Sequence, residues 1–304
     1  MPITQALILT AGVGTRLRPL TQVRAKPAMP VAGEPMIIRI LNYLRAQGVT
    51  GAVLNLHHRP ETLTAVVGDG SDLGVRVRYS WEQPSILGSA GGPRHALPLL
   101  DGRALLIVNG DTLTDVRLDA LERAHAQSGA KVTLALVPNT EFMRYGGVQL
   151  DSGGRVTGFV RRGAAAEGSY HYIGLQLVNR SVFEALPDHE PANTIGGLYD
   201  AMIAANPQAV AGFVTSTEFW DIGTVDDYWR MSDAFAARER RGAICGRPAS
   251  IDPTAQITRS ILWDDVEVGA GALVDRCIVT DGVRIAPGAV HRNEVLIANG
   301  FRDR

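Results

Sequence analysis

The last sixty or so residues repeat with a period of seventeen. Ser260-Ile261-Leu262-Trp263-Asp264-Asp265-Val266-Glu267-Val268-Gly269-Ala270-Gly271-Ala272 aligns with Cys277-Ile278-Val279-Thr280-Asp281-Gly282-Val283-Arg284-Ile285-Ala286-Pro287-Gly288-Ala289. Residues 251–255 fall in phase with 268–272 and 285–289, and Val295 falls in phase with Ile278. An aliphatic residue about every sixth position, followed by Gly, Asp, Ala or Pro, points one side chain per short strand inward and turns a corner after each. The expectation is a short C-terminal left-handed parallel β-helix of about three coils. Such a unit cannot bury its core alone, so it is expected to stack on the preceding domain or on another subunit, and a homo-oligomer is the partner expectation.

Before the repeat, apolar runs rich in Val, Ile and Leu recur at 6–9, 52–56, 75–79, 104–108 and 132–137, and they read as buried strands. Stretches of helical spacing separate them: Met36, Ile37, Ile40, Leu41 and Leu44 share one face, and Leu118, Leu121, Ala124 and His125 share another. This alternation predicts an α/β domain, a Rossmann-like, mostly parallel sheet covered by helices. Around Asp151-Ser152-Gly153-Gly154 the pattern becomes that of a β-hairpin, 147–150 and 155–160, expected as an insertion over the sheet. A strand at 173–178, helices near 181–186 and 198–205, a strand at 210–214 and a helix over 225–240 follow. The basic run at the end of that helix reads as a boundary, giving domains at 1–242 and 243–304.

The 304 residues carry 30 Lys+Arg against 31 Asp+Glu and are 45% hydrophobic, which excludes disorder and leaves no overall positive field for nucleic acid or anionic lipid. No apolar run approaches the length that crosses a bilayer, and the first ten residues lack the basic and apolar regions of a secretory leader. A cytoplasmic protein with no membrane partner is expected. The two cysteines, Cys245 and Cys277, lack metal spacing and read as buried thiols. His57, His58 and His171 have no carboxylate or thiol partner at ligand spacing and read as packing or surface residues, as Trp229, Met231 and Phe235 read as core or interface.

The chemistry concentrates after the first strand. Leu9-Thr10-Ala11-Gly12-Val13-Gly14-Thr15-Arg16-Leu17-Arg18-Pro19-Leu20-Thr21 places two glycines where backbone N–H groups can approach a phosphate, with Lys26-Pro27 a few residues on. A dinucleotide fingerprint needs a third glycine where Leu17 stands, and a Walker loop needs Gly-Lys-Ser/Thr, so neither fits. What remains is a glycine loop with a guanidinium at Arg16 and an ammonium at Lys26, two cations suited to a leaving pyrophosphate. Asp111 follows the apolar run 105–108 and so projects from the carboxyl end of a buried strand, where open α/β sheets bind ligands. Asp221, beside an aromatic pair and a glycine, offers a second hard-oxygen donor for Mg²⁺.

The segment Gly12 to Thr21 with Lys26-Pro27 resembles the opening motif of the sugar-1-phosphate nucleotidyltransferases, and the likeness continues downstream. Leu87-Gly88-Ser89-Ala90-Gly91-Gly92 is similar to that family's Leu-Gly-Thr-Ala-Gly loop, with Gln83 where members read the base. Asn109-Gly110-Asp111 resembles its strand-end aspartate motif, Tyr145-Gly146-Gly147-Val148 its sugar-facing segment, and Trp220-Asp221-Ile222-Gly223-Thr224 its second aspartate motif. The β-helix tail also occurs in several branches, including mannose-1-phosphate guanylyltransferases.

The resemblance implies that Ala11, Gly12, Gly14, Thr15, Arg16, Gln83, Gly88 and Ser89 bind the nucleotide and that Gly146, Arg162 and Tyr172 bind the sugar phosphate. Arg16, Lys26, Asp111 and Asp221 would be catalytic, the two aspartates holding Mg²⁺. The implied reaction joins an NTP to a sugar 1-phosphate and releases pyrophosphate, with GTP and a mannose- or heptose-type acceptor placed ahead of UTP. Arg161 stands where the family carries a glutamate, and Tyr172-Ile173-Gly174 where Asn-Ala-Gly is usual, which implies altered sugar recognition. These departures motivate a second reading, a catalytically degenerate NDP-sugar-binding regulator. An acyltransferase built on the β-helix is a weaker third, since three coils offer little groove and His291 is the sole histidine there.

Overall fold

The computed structural model describes residues 3–239, 244–246 and 249–298. The expected boundary at 242/243 lies outside the described residues, as do the side chain of Cys245 and the end of the helix expected to 240. Chain contacts divide into two compact units, one formed by the described residues of Met1–Ala11, Ile40–His57 and Val67–Trp220, the other by those of Gly12–Arg39, His58–Val66 and Asp221–Arg304.

The first unit holds a nine-stranded sheet. Its strands are β1 (Gln5–Leu9), β2 (Gly51–Leu56), β3 (Arg76–Trp81), β4 (Ala104–Asn109), β5 (Val132–Pro138), β6 (Gly147–Leu150), β7 (Val156–Val160), β8 (Tyr170–Asn179) and β9 (Val210–Val214). The order is β7-β6-β8-β4-β1-β2-β3, with β5 paired to β8 and β9 paired to β5. Strands β3, β2, β1 and β4 run parallel, while β8 runs antiparallel to both β4 and β5. The hairpin of β6 and β7 extends the edge of the sheet through β8; it does not lie over it. Its inward residues Val148 and Val156 join the core with Leu7, Ile107, Leu134, Leu136 and Phe183, and that burial holds it in plane. Helices α1 (Gly88–Ala96) and α3 (Tyr199–Ala205), with α2 (Leu118–Ser128) between them in the chain, flank the sheet, and α1 and α3 contribute Ala90, Ala96 and Tyr199 to the same core.

The second unit contains α4 (Val225–Arg238) and the β-helix. Thr224 caps α4: its hydroxyl accepts from the Asp227 N–H at 3.2 Å, and the Asp227 carboxylate accepts back from the Thr224 N–H at 2.8 Å. The seventeen-residue period is realised as register. Ile244↔Ile261↔Ile278↔Val295 stack in one parallel sheet, Val268↔Ile285 in a second, and Gln256↔Leu273↔Val290 in a third. Leu262, Val266, Val274, Cys277 and Val279 fill the interior, so Cys277 is a buried thiol.

The β-helix is fastened to the segment that follows the glycine loop. Trp263 is fully buried and donates through Nε1 to the Tyr228 hydroxyl at 2.8 Å; that hydroxyl donates to the Pro30 carbonyl at 2.6 Å. Arg24 lies over the Trp263 ring, 5.4 Å from its centre, and binds Asp264 and Asp281. No described helix is long and apolar enough to cross a membrane.

Candidate active site

Each unit carries its own share of the expected site residues. In the first, the Gly110 N–H donates to the Leu9 carbonyl at 2.9 Å, so Asp111 leaves the sheet at the carboxyl ends of the adjacent parallel strands β1 and β4. The Thr112 hydroxyl lies 3.4 Å from Asp111 Oδ1. Tyr172 senses the same carboxylate: burial first, and then the Asp111 charge, push its ionisation far above the usual tyrosine range. Within the described structure its hydroxyl is buried without a hydrogen-bond partner. Strand β8 changes register against β5 between Tyr172 and Gln176, and the irregularity falls beside Asp111. Gly174 makes it possible, because it adopts φ 80° and a Cβ there would sit 2.9 Å from the Asn109 Cβ.

The expected base-reading segment is set by a buried network that no sequence motif announced. Asn55 Oδ1 accepts from the Thr10 N–H at 2.6 Å, its amide donates to Glu82 Oε1 at 2.7 Å, and Glu82 Oε2 accepts from the Leu87 N–H at 2.6 Å. Glu82 is fully buried, while the next residue, Gln83, is exposed. The carboxylate thus pins both ends of the 82–87 turn and leaves the Gln83 side chain in solvent. The sole sequence signal was a polar residue near the end of each of two buried strands.

Residues 88–96 form helix α1, and its glycines answer to protein contacts. A Cβ on Gly91 would stand 2.4 Å from the Glu190 carbonyl, one on Gly88 2.7 Å from the Ala192 carbonyl, and one on Gly92 2.5 Å from Glu82 Oε1. The segment 190–194 therefore lies directly on the amino end of α1. The Ser89 hydroxyl accepts from the Thr194 N–H at 2.9 Å and shares a 3.0 Å hydrogen bond with the Thr194 hydroxyl. Thr194 is a further residue of this site that sequence reasoning missed.

Of the expected sugar-phosphate group, Gly146 and Arg162 adjoin, since the Arg162 nitrogen lies 4.0 Å from where a Gly146 Cβ would be. The Arg162 side chain is exposed. Beside them the Tyr145 ring lies 4.1 Å from His171, which lies 5.1 Å from Phe219. Thus His171 packs in an aromatic cluster. His57 and His58 each bind a backbone carbonyl, those of Glu82 and Thr21.

In the second unit the glycine loop is held from inside. Gly14 takes φ 63°, and its carbonyl accepts from the Leu17 N–H at 2.9 Å and from the Thr21 hydroxyl at 3.0 Å. A Cβ on Gly14 would lie 2.8 Å from the Thr21 methyl and 3.6 Å from the Lys26 Cβ, so the loop turns back beside the lysine. Gly12, by contrast, faces open space, with nothing within 4 Å of the position a Cβ would take. Thr15 and Arg16 are exposed, and Ala11, the last residue of the first unit before the loop, is buried. Arg16 and Asp221 meet around Gly223: from the Cβ position there, an Arg16 terminal nitrogen is 3.6 Å away and Asp221 Oδ2 is 3.8 Å away. A side chain at 223 would fill the space beside both charges.

The sequence profile of the nucleotidyl transferase family matches residues 5–238. The chain belongs to this family. A second profile, the GlmU-like C-terminal hexapeptide region, matches residues 237–292. Within the nucleotidyl transferases, the chain is 29% identical over 295 residues to mannose-1-phosphate guanylyltransferase of Mycobacterium tuberculosis, covering 94% of this chain and 82% of the relative. It is 31% identical over 224 residues to D-glycero-alpha-D-manno-heptose 1-phosphate guanylyltransferase of Aneurinibacillus thermoaerophilus, covering 74% and 95%. The crystal structure of HddC from Yersinia pseudotuberculosis complexed with GMP-PN has a TM-score of 0.65 at 22% identity, covering 77% of this chain and all of that one, a likeness of fold.

Proposed function

We propose that this nucleotidyl transferase transfers a guanylyl group from GTP to a mannose- or heptose-type sugar 1-phosphate, giving a GDP-sugar and pyrophosphate. The general reaction, from an NTP to a sugar 1-phosphate, follows from family membership and from relatives that are sugar-1-phosphate guanylyl- and uridylyltransferases. The choice of GTP rests on the two guanylyltransferases that span most of the chain. A cytoplasmic setting and a homo-oligomer belong to the same reading.

In this mechanism an oxygen of the sugar phosphate attacks the α-phosphorus, a new P–O bond forms, and the bond to the β-phosphate oxygen breaks to release pyrophosphate. The N–H groups of the Ala11–Gly14 turn and the Thr15 hydroxyl cradle the triphosphate, while Arg16 and Lys26 stabilise the charge that grows on the leaving group. Gln83 reads the base, and Gly88 and Ser89 line its loop. Gly146 and Arg162 take the sugar phosphate, with the guanidinium suited to bidentate contact. Tyr172 supplies its unpartnered hydroxyl as a donor to a ligand oxygen. That orphaned donor is the single structural observation that carries the acceptor half of the reading.

Nucleotidyl transferases generally use a divalent metal, and the residues here fit Mg²⁺: Asp111 and Asp221 are carboxylates, the hard oxygen donors this ion takes. When bound, the ion offsets repulsion between the two substrates' phosphates. Asp111 and Asp221 would hold it.

The test is pyrophosphate release from the full chain, with each of the four NTPs against a panel of sugar 1-phosphates. GTP with a mannose- or heptose-type acceptor is expected to give the highest kcat/KM. A preference for UTP would overturn the base assignment. Tight NDP-sugar binding without turnover for any pair would replace the enzyme reading by the regulator.

A further inference from the structure

We propose that His95, Asp188 and His189 form a binding site for a divalent transition-metal ion of the zinc type, which staples the segment 186–194 to helix α1. One donor atom from each residue lies within 4.8 Å of the others. His95 Nδ1 is 3.0 Å from Asp188 Oδ1, and His189 Nε2 is 3.9 Å from Asp188 Oδ2. The two imidazole rings are 4.4 Å apart and tilted by 57°. Donors around a tetrahedral zinc ion stand roughly 3.3 Å apart, given bonds of about 2.0–2.1 Å. The separations of the two rings from the Asp188 carboxylate bracket that value and all three donors fall within 4.8 Å, so donor movements of about 1–1.5 Å close the site.

The surroundings favour a cation of this class. Two imidazoles and one carboxylate suit Zn²⁺, Co²⁺ or Ni²⁺ and do not suit the all-oxygen preference of Mg²⁺ or Ca²⁺. His95 lies in the last turn of α1, the negative end of the helix dipole. Asp188 Oδ1 accepts from both His95 and the His189 N–H, the latter at 2.8 Å, which fixes the carboxylate between the rings. His189 sits at φ 60°, the left-handed region, and that conformation brings its ring onto His95. Pro187 and Pro191 bracket the two loop ligands and restrict the segment before any ion arrives. The His189 side chain is 68% exposed, which leaves an entry path and room for a water in the remaining coordination position. To take the ion at Nδ1, His95 presents that nitrogen without a hydrogen and carries its proton on Nε2, the tautomer in which imidazole binds metals.

The position gives the site a consequence. At its start the segment is tied by Arg94, whose Nε donates to the Leu186 carbonyl at 2.7 Å. At its far end the Ala192 carbonyl accepts from the Ala90 and Gly91 N–H groups at 2.9 and 3.2 Å, next to the Ser89–Thr194 pair. An ion at the carboxyl end of α1 therefore fixes the same segment that covers the amino end.

The test uses the full chain freed of metal by a chelator and titrated with Co²⁺, whose visible absorption reports a low-coordinate nitrogen and oxygen site independently of any turnover. The expected result is a saturable signal at one equivalent, displaced by Zn²⁺ and unaffected by Mg²⁺, and a melting temperature raised by Zn²⁺. His189→Ala and Asp188→Asn should each lower Zn²⁺ affinity at least about tenfold and abolish the cobalt signal. Both residues are solvent-accessible, and equal melting of the variants and the parent chain in chelator verifies their folding. A parent chain without a saturable signal, or a signal that survives in either variant, overturns the proposal.

Discussion

Arg24 reaches Asp281 through two nitrogens, Nε to Oδ2 at 2.6 Å and an outer nitrogen to Oδ1 at 2.7 Å, and the same outer nitrogen meets Asp264 at 2.5 Å. Asp264 and Asp281 occupy equivalent places in successive coils, so the repeat stacks two carboxylates whose repulsion this guanidinium relieves. The Arg24 side chain is only 11% exposed. Removing one partner of a buried pair costs about 3–5 kcal/mol, with the more exposed Asp264 contributing the smaller share. Arg24→Ala should therefore lower stability to urea by an amount of that order. Because Lys26 is two residues away, it should also reduce pyrophosphate release. Arg24→Lys should fail to restore either, since an ammonium does not reproduce the forked geometry. A loss below about 1 kcal/mol would show that the latch contributes little.

Asn55 is the hinge of the buried network behind the 82–87 turn, which the proposed function assigns to reading the base. Asn55→Ala leaves a Glu82 oxygen and the Thr10 N–H buried without their partner, at about 1–3 kcal/mol each. Urea unfolding should register that loss, and the KM for the nucleotide should rise because Leu87 and Gln83 lose their fixed positions. A variant with parental stability and KM would remove the network from the account.

Gly12 and Gly14 should respond differently to alanine. Gly14→Ala meets both a positive φ and the Thr21 methyl at 2.8 Å, so it should unfold at lower denaturant. Gly12→Ala meets nothing within 4 Å and should melt like the parent chain. If the loop cradles a triphosphate, Gly12→Ala should nevertheless raise the nucleotide KM about tenfold or more, by obstructing backbone approach. Unchanged nucleotide kinetics in Gly12→Ala would place the triphosphate elsewhere.

Much of this fold is legible in the amino-acid order because its signals are local. The β-branched runs mark the strands of the sheet to within a few residues, and the seventeen-residue offset reappears as the pairing Ile261↔Ile278↔Val295. Helix α1 is not legible: three glycines and a proline in Gly88–Ala96 oppose helix formation, and contacts with Glu82 and Ala192 override that preference. The hairpin's place was likewise set by tertiary burial of Val148 and Val156, which a turn signal at Asp151 does not encode. Motifs exposed the charged candidate residues, whereas Asn55, Glu82 and Thr194 brace the candidate segments through pairings between distant parts of the chain. No spacing rule reveals those.

Buried tyrosines set the alkaline limit. Burial holds the ionisation of Tyr199 and Tyr228 well above that of an exposed phenol. Above pH of about 10 the unfolded chain releases these protons and the folded chain keeps them, so stability falls as pH rises. Each such tyrosine contributes a slope of about 1.4 kcal/mol per pH unit. Tyr199→Phe and Tyr228→Phe should each flatten the alkaline decline of the urea midpoint, and an unchanged slope would contradict the assignment.

The most direct measurement is pyrophosphate release by Asp111→Asn, with GTP, a mannose- or heptose-type 1-phosphate and Mg²⁺ at saturation. Asparagine keeps the size of the side chain and removes the charge proposed to hold the ion. With melting unchanged, kcat should fall at least about 100-fold. A folded Asp111→Asn chain that turns over at the parental rate would contradict the proposed chemistry.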